Sequence, residues 1–333
     1  MFNLFLALLI IFALFCLVAR LLHRYFIYVP DRTRIDPREA GLTGVEEIVF
    51  KAHDGKRLVA WCRPAEKGKR TLLYFPGNSG NVAARAGKIK AIAADGYGVF
   101  IVNYRGYGGS GSRPTEKRLV KDAVSAFDTL RGLGVPPRDV IVYGESLGTG
   151  VAAQVCLQRE AEALVLESPF TSVVDVGKRG WPLLPLKQIM VDQYRTIDCI
   201  CSVTVPVFIV HGGRDSVIPL DMARRVFHEA NEPKTMTVVP RAGHNDLFEQ
   251  GAWARVSDFL AGLETEAVPA EVQSEARAGA RPVEVPAAAA EHYRRVCLST
   301  SPLARRRIRA DTTKPGRVFP ASGGALAFES LSS

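Results

Sequence analysis

Hydrophobic and polar positions divide this chain into three stretches of different texture. From Phe2 to Ala19 no charged residue occurs, and Leu, Ile, Phe, Ala and Val dominate. That run predicts one helix close to the roughly 20 apolar residues a bilayer crossing needs. Between Val45 and Leu263, short apolar runs alternate with segments whose apolar residues recur at helical spacing. From Glu264 onward Ala, Pro, Glu and Arg prevail without periodicity, followed by the basic run Arg305-Arg306-Arg307 and a Gly/Ser-rich end. Such a composition buries too little apolar surface to offset chain entropy, so 264–333 is expected to be a disordered tail.

In the middle stretch, Val45 to Lys51 and Arg57 to Arg63 read as strands flanking the turn Asp54-Gly55. Thr71 to Phe75, Val99 to Asn103, Val140 to Tyr143, Ala163 to Leu166, Val205 to Val210 and Thr235 to Val239 read as buried strands. Helices are expected over Val82 to Ala94, Glu116 to Leu130, Thr149 to Arg159, Leu220 to Ala230 and Leu247 to Leu263. Eight strands alternating with helices predict an α/β fold: a mostly parallel eight-stranded sheet covered on both faces. Such sheets carry their chemistry in loops beyond the carboxyl ends of the strands.

The domain organisation that follows is an anchor over 1–22, a linker over 23–44, one folded domain over 45–263 and the tail. A cleaved signal peptide is the competing reading of the first segment. It would need a basic residue ahead of the apolar run and a small-x-small site after it, whereas Leu17-Val18-Ala19 leads straight into Arg20. A lipoprotein site at Cys16 is disfavoured by the bulky Phe15 before it. Arg20, Arg24, Arg32, Arg34 and Arg38 all follow the segment. Excess positive charge on that side predicts a membrane protein whose folded domain faces the cytoplasm, with Tyr25, Phe26 and Tyr28 as an interfacial aromatic belt.

Composition changes this picture little. The net charge of +9 and pI near 9.3 permit contact with anionic surfaces, but the basic residues form no nucleic-acid-reading module, so no nucleic-acid partner is expected. The six cysteines lack paired metal-ligand spacing; Cys199 and Cys201 stand two apart with no second pair to complete a site.

Candidate chemistry sits at the predicted strand ends. Gly144-Glu145-Ser146-Leu147-Gly148 fits G-x-S-x-G between a strand and a helix, the context in which a tight turn pushes a serine hydroxyl outward as a nucleophile. Asp215, in Gly212-Gly213-Arg214-Asp215, and His244, in Gly243-His244-Asn245-Asp246, also follow strands. The chain order Ser, Asp, His suits a triad in which the acid orients the histidine and the histidine serves as base. Glu167 competes for the acid and His211 for the base, since each ends a strand. The loop Pro76-Gly77-Asn78-Ser79-Gly80-Asn81 is placed to supply the Asn78 N–H to an oxyanion, with the Leu147 N–H as second donor. A turn that merely caps the Val82 helix is compatible with the same residues.

These residues resemble the α/β-hydrolase superfamily over roughly Val45 to Leu263. The likeness is to its membrane-anchored branch, which contains acyl-protein thioesterases (depalmitoylases) and bacterial relatives. It is carried by Tyr74-Phe75-Pro76-Gly77-Asn78-Ser79-Gly80-Asn81, Tyr104-Arg105-Gly106-Tyr107-Gly108, the Ser146 motif and Gly243-His244-Asn245-Asp246. Two residues depart from it: Pro76 stands where histidine is usual, and Asn103 where aspartate is common. The resemblance implies an α/β-hydrolase fold with a small cap over about 168–204. There Trp181, Leu183, Leu184, Leu186, Ile189 and Met190 either wall an acyl pocket or form the cap's own core.

The expected function is a serine esterase or thioesterase, needing no cofactor and acting on an acyl ester or thioester of lipid-derived or lipidated character. A serine peptidase or amidase on the same fold, and a non-catalytic membrane-bound interaction protein, are the alternatives.

Overall fold

A computed structural model describes residues 2–266. The expected tail lies outside these residues except at its start, where the last helix continues to Glu266. Eight strands form one sheet: β1 (Glu46–Lys51), β2 (Arg57–Arg63), β3 (Thr71–Phe75), β4 (Gly98–Val102), β5 (Val140–Glu145), β6 (Ala163–Glu167), β7 (Val207–Gly212) and β8 (Lys234–Val239). Their order is β8-β7-β6-β5-β3-β4-β2-β1, parallel throughout except that β2 runs antiparallel to both neighbours. The chain is thus an α/β fold with the mostly parallel eight-stranded sheet read from the sequence.

Strand periodicity sorts the apolar side chains to two faces. Leu73, Phe75, Phe100, Val102, Val140 and Val142 point to one side, and Leu72, Tyr74, Val99, Ile101, Ile141 and Tyr143 to the other. The first face is covered by α3 (Glu116–Gly132), α4 (Leu147–Cys156) and α8 (Leu220–Glu229), through residues such as Leu119, Phe127, Val151 and Val226. The second is covered by α2 (Ala86–Ala94) and α9 (Trp253–Glu266), through Ile89, Ile92, Val256 and Leu260. Burial on both faces explains why the central strands read as unbroken apolar runs.

The helix expected over Thr149 to Arg159 runs instead from Leu147 to Cys156, and two others open with a turn of different geometry. Val82–Arg85 is a 3-10 turn, capped by the Asn81 side chain accepting from the Ala83 N–H at 2.9 Å, and α2 follows it. The Leu247 segment opens with a π-helical turn, Phe248–Ala252, in which Gly251 takes φ 95°. That backbone region favours glycine and breaks the helical run before α9.

Between β6 and β7 lie α5 (Val173–Gly180), α6 (Leu186–Ile189) and α7 (Thr196–Ile200). α5 and α6 form the cap, whereas α7 packs on α4 and α8, with Ile200 buried in the core.

The N-terminal helix α1 runs from Phe2 to Ile27, five residues beyond the expected anchor boundary at 22. Its most apolar 18-residue window has mean hydropathy 2.9 and holds no buried residue. Its last two turns dock on the cap. Arg20 donates to the Gln188 carbonyl at 2.7 Å, Arg24 pairs with buried Asp192 at 2.8 Å, and His23 Nε2 accepts from the Val191 and Asp192 N–H groups. The Tyr28 hydroxyl donates to Asp192 at 3.0 Å and contacts the Tyr194 hydroxyl at 2.8 Å. Residues 23–44 are therefore tied to the domain along their length: Asn81 donates to Asp31 at 2.8 Å, and Arg34 pairs with Glu47.

Candidate active site

Ser146 occupies the turn between β5 and α4 with φ 50° and ψ −116°. A non-glycine residue held in such a sparsely populated region is over-determined by its surroundings. The Ser146 N–H donates to the Glu167 carbonyl at 2.9 Å, holding the turn to β6. The flanking glycines are required by close approach. A Cβ on Gly148 would lie 2.0 Å from the Phe75 carbonyl oxygen, and one on Gly144 would lie 2.5 Å from the Gly148 carbonyl oxygen. A strand, a sharp turn and a helix packed this tightly leave the serine side chain projecting beyond the sheet.

Asp215 follows β7 and His244 follows β8, so both arrive at the same end of the sheet as Ser146. The Asp215 Oδ2 lies 2.7 Å from His244 Nδ1, and His244 Nε2 lies 3.1 Å from Ser146 Oγ. A carboxylate only accepts, so Nδ1 carries the ring proton and Nε2 is left to accept from the serine hydroxyl. Asp215 Oδ1 accepts from the Val217 and Ile218 N–H groups at 2.9 and 2.7 Å. Burial works to raise the Asp215 carboxyl, but the hydrogen bond and charge of His244 and the Ile218 N–H outweigh it and hold the group below its ordinary value.

The two competitors lie elsewhere in the network. His211 is fully buried, and its Nε2 donates to the Ile218 carbonyl at 2.9 Å, bracing the loop that carries Asp215. Burial depresses its pKa. Glu167 does not reach His244; it accepts from the Tyr143 hydroxyl and pairs with Lys88 at 2.6 Å.

Of the two expected oxyanion donors, the Leu147 N–H belongs to the first residue of α4 and has no intrahelical acceptor. Asn78 sits across from it in a loop pinned from three directions. Its carbonyl accepts from the Val29 N–H at 3.1 Å and the Tyr107 hydroxyl at 2.7 Å, and its side chain donates to the Ile27 carbonyl at 2.8 Å. Val29–Pro30 and Ser79–Gly80 pair as two short parallel strands beside it. The two departures from the superfamily pattern sit in this framework. The Pro76 carbonyl accepts from the Tyr104 hydroxyl at 2.8 Å, and Asn103 Oδ1 accepts from the Val82 N–H at 3.1 Å.

Two cavities meet at Ser146, His244, Asn78 and Asn245. One, of about 630 Å³, is an apolar cleft between Leu147, Phe170, the cap and α1. Trp181, Leu184, Leu186, Ile189 and Met190 line it, while Leu183 is 94% exposed outside it. The other, of about 600 Å³, is charged and lies over Arg85, Lys88, Glu145 and Glu167. Arg85 pairs with Glu145 at 3.0 Å, and Lys88 bridges Glu145 at 3.2 Å and Glu167. Burial works to raise the Glu145 carboxyl, but Lys88, Arg85 and the Tyr74 hydroxyl bring it down to about 2.

Sequence reasoning did not find the Arg85–Glu145–Lys88–Glu167 network, nor the α1 residues Phe15, Ala19, His23, Phe26 and Ile27 that line the cleft. The first signal was available, since Arg85 and Lys88 lie i, i+3 on one helical stretch beyond the oxyanion loop. For the second, the bonds from Arg20, His23 and Arg24 join residues about 170 apart, a separation for which local pattern gives no cue.

Among the described residues, one His/Asp group has ligand-like spacing, His53, Asp54 and Asp122. The buried Arg105 guanidinium fills it, pairing with Asp54 at 3.0 Å and with Asp122. These carboxylates are therefore neutralised by the protein itself, and none of the three lines a cavity with Ser146.

Residues 66–197 match the family model described as serine aminopeptidase S33. Protein Rv2307c of Mycobacterium tuberculosis is 38% identical over 226 residues, covering 67% of this chain and 80% of that protein. The human alpha/beta hydrolase domain-containing protein 17B is 29% identical over 241 residues, covering 71% and 82% respectively. An esterase of Pyrococcus furiosus superposes with TM-score 0.57 at 18% identity, over 71% of this chain and 97% of that one, and so shares its fold. With the strand order, the elbow and these relatives in agreement, the chain belongs to the α/β-hydrolase superfamily and is a hydrolase.

Proposed function

We propose that the protein is a membrane-anchored serine hydrolase that cleaves carboxylic esters or thioesters through an acyl-enzyme. The observation that carries this reading is the hydrogen-bonded line Asp215–His244–Ser146 at the junction of the two cavities. His244 Nε2 takes the Ser146 proton as Oγ attacks the acyl carbonyl, and the developing oxyanion is met by the Asn78 and Leu147 N–H groups. Collapse expels the alcohol or thiol, which takes the proton back from His244. A water activated by the same imidazole then attacks the acyl-enzyme, releasing the acid and regenerating the serine. Asp215 holds the ring in the required tautomer and offsets the imidazolium charge.

The apolar cleft suits the acyl chain, and the charged chamber suits a polar leaving group. α1 serves as the anchor, with the catalytic domain on the cytoplasmic side. A peptidase reading finds less support, because it calls for a group that captures a peptide terminus. The two carboxylates of the charged chamber, Glu145 and Glu167, are already matched by Arg85 and Lys88.

The test is hydrolysis of a panel from acetyl to palmitoyl esters and thioesters, with peptide amides alongside. Turnover of the esters or thioesters that rises with chain length is expected. Cleavage of amides alone would replace this reading with the peptidase one.

A further inference from the structure

α1 enters the cleft as a wall. Along its length the residues shielded by the rest of the protein are Cys16, Ala19, His23, Arg24 and Ile27; Cys16, Ala19, His23 and Ile27 recur at helical spacing and define one face, with Arg24 at its edge. That stripe and its flanks bring Phe15, Ala19, His23, Phe26 and Ile27 to the cavity that ends at Ser146. The remainder of the same helix is the exposed apolar surface fit to lie in hydrocarbon. One element therefore presents bare apolar surface on most of its circumference and the reactive serine's cleft on the rest.

The depth follows from helix geometry. The charge-free run Phe2 to Ala19 rises about 27 Å at 1.5 Å per residue, close to the roughly 30 Å of a bilayer's hydrocarbon core. Phe15 and Ala19 then stand in its last turn, and Arg20 and Arg24 mark the headgroup level. At the same end of the molecule Phe26 and Trp181 are 81% and 65% exposed although both border the cavity, and neighbouring Tyr25 and Leu183 are bare as well. Aromatic residues of this kind favour the membrane interface. The latch of Arg20, His23 and Arg24 on residues 188–192 fixes α1 against the cap, and the Asn78 side chain ties the oxyanion loop to the Ile27 carbonyl.

We propose that α1 forms one wall of the acyl site, and that the acyl chain of a membrane-resident ester or thioester slides in from the bilayer between α1 and the cap helices α5 and α6. This rests on the serine-hydrolase reading above and adds the wall of the acyl site and the route by which the chain arrives. The hydrocarbon chain passes from lipid to the apolar cleft without crossing water, so no apolar surface is hydrated on the way. The scissile carbonyl is drawn up to Ser146, and the polar leaving group stays on the charged side. The volume of about 630 Å³ lies within the roughly 300–1,000 Å³ usual for ligand pockets.

The full-length protein in phospholipid nanodiscs is treated with a hexadecyl fluorophosphonate bearing a diazirine at the chain end, irradiated, digested with trypsin and mapped by mass spectrometry. The phosphonate is expected on Ser146, with chain-end cross-links on the peptide that ends at Arg20, at Phe15 or Ala19. Labelled Ser146 with cross-links to the cap or lipid alone overturns the wall and leaves the hydrolase reading intact. No adduct on Ser146 overturns the hydrolase reading and this inference with it. In the same nanodiscs, Ala19→Trp should lower the ratio of palmitoyl to butyryl ester kcat/KM by about tenfold or more, the scale on which a pocket discriminates chain atoms. Leu17→Trp, on a side chain that does not line the cleft, should leave that ratio unchanged. Equal ratios in Ala19→Trp and the wild-type protein would contradict the proposal.

Discussion

The two cavities that flank Ser146 are built in opposite ways. The apolar cleft is assembled from far-apart parts of the chain, α1 and the cap, and offers few polar groups beyond the reacting ones. The charged chamber is assembled from the last residues of two strands and from the start of α2, and its four charges neutralise one another: Arg85 and Lys88 against Glu145 and Glu167. A self-paired network costs desolvation that only good geometry offsets, so its residues act first on stability and on the shape of the elbow. An apolar wall of partly covered side chains acts first on what fits. Specificity for the chain should therefore reside on one side of the serine, and rigidity on the other.

The largest effects lie where the two sides meet. Ser146→Ala and His244→Ala should each lower turnover by several orders of magnitude, about 10⁶-fold in the strongest case. Asp215→Asn should cost about 10⁴-fold through the wrong imidazole tautomer. Glu167→Gln should leave turnover near that of the wild-type protein, because its carboxylate bonds Tyr143 and Lys88 and does not reach His244. Steady-state rates on one ester, with circular dichroism to confirm folding, check the series. A Glu167→Gln variant as inactive as Ser146→Ala would reassign the acid.

Next comes the charged chamber. Lys88→Met removes the cation shared by two carboxylates and leaves Glu167 without one, so a stability loss of about 3–5 kcal/mol is expected in denaturant titrations. The chain-length profile of the remaining activity should not move. A shift in that profile would show that the chamber also reads the acyl group.

A pH prediction isolates the same network. The Glu145 carboxyl sits at about 2, below its unfolded value of about 4.3. Its contribution is therefore fully present above about pH 4.3 and is lost as pH falls toward 2. Glu145→Gln should be less stable than the wild-type protein at neutral pH, and the difference should shrink between those values. A difference that persists unchanged at pH 2 would contradict the depressed carboxyl.

The smallest effect is expected far from both cavities. Glu264 pairs with Lys69 at 3.0 Å and with Arg70 near the end of α9, partly exposed to solvent. Glu264→Gln should cost less than about 1 kcal/mol, measured by the same denaturant titration.

What the sequence made legible follows this division. Strand limits were read within a residue or two because two-sided burial demands unbroken apolar runs, as at Thr71 to Phe75. That Ser146, Asp215 and His244 come together was legible because each lies just past a strand, and parallel strands bring such loops to one edge. Of the six cap residues singled out, five line the cleft, and Leu183 points away on an exposed turn. The alternation of apolar residues gives no sign of which side of a four-residue helix faces a cavity.

The α1 wall was not legible. Arg20 and Arg24 read as charges bordering a membrane segment, whereas in the fold they also grip the Gln188 carbonyl and Asp192. The break at Gly251 had a visible signal, a glycine inside a helical pattern, but its φ of 95° depends on how the π-helical turn meets α9.

The proposed reaction turns on Ser146 as the nucleophile, activated by His244 and Asp215. Intact-mass measurement of the full-length protein after reaction with a fluorophosphonate tests it most directly, with the adduct mapped by peptide sequencing. One adduct is expected on Ser146, none on Ser146→Ala, and markedly slower labelling on folded Asp215→Asn. An adduct on any other residue, or none on the folded wild-type protein, would contradict it.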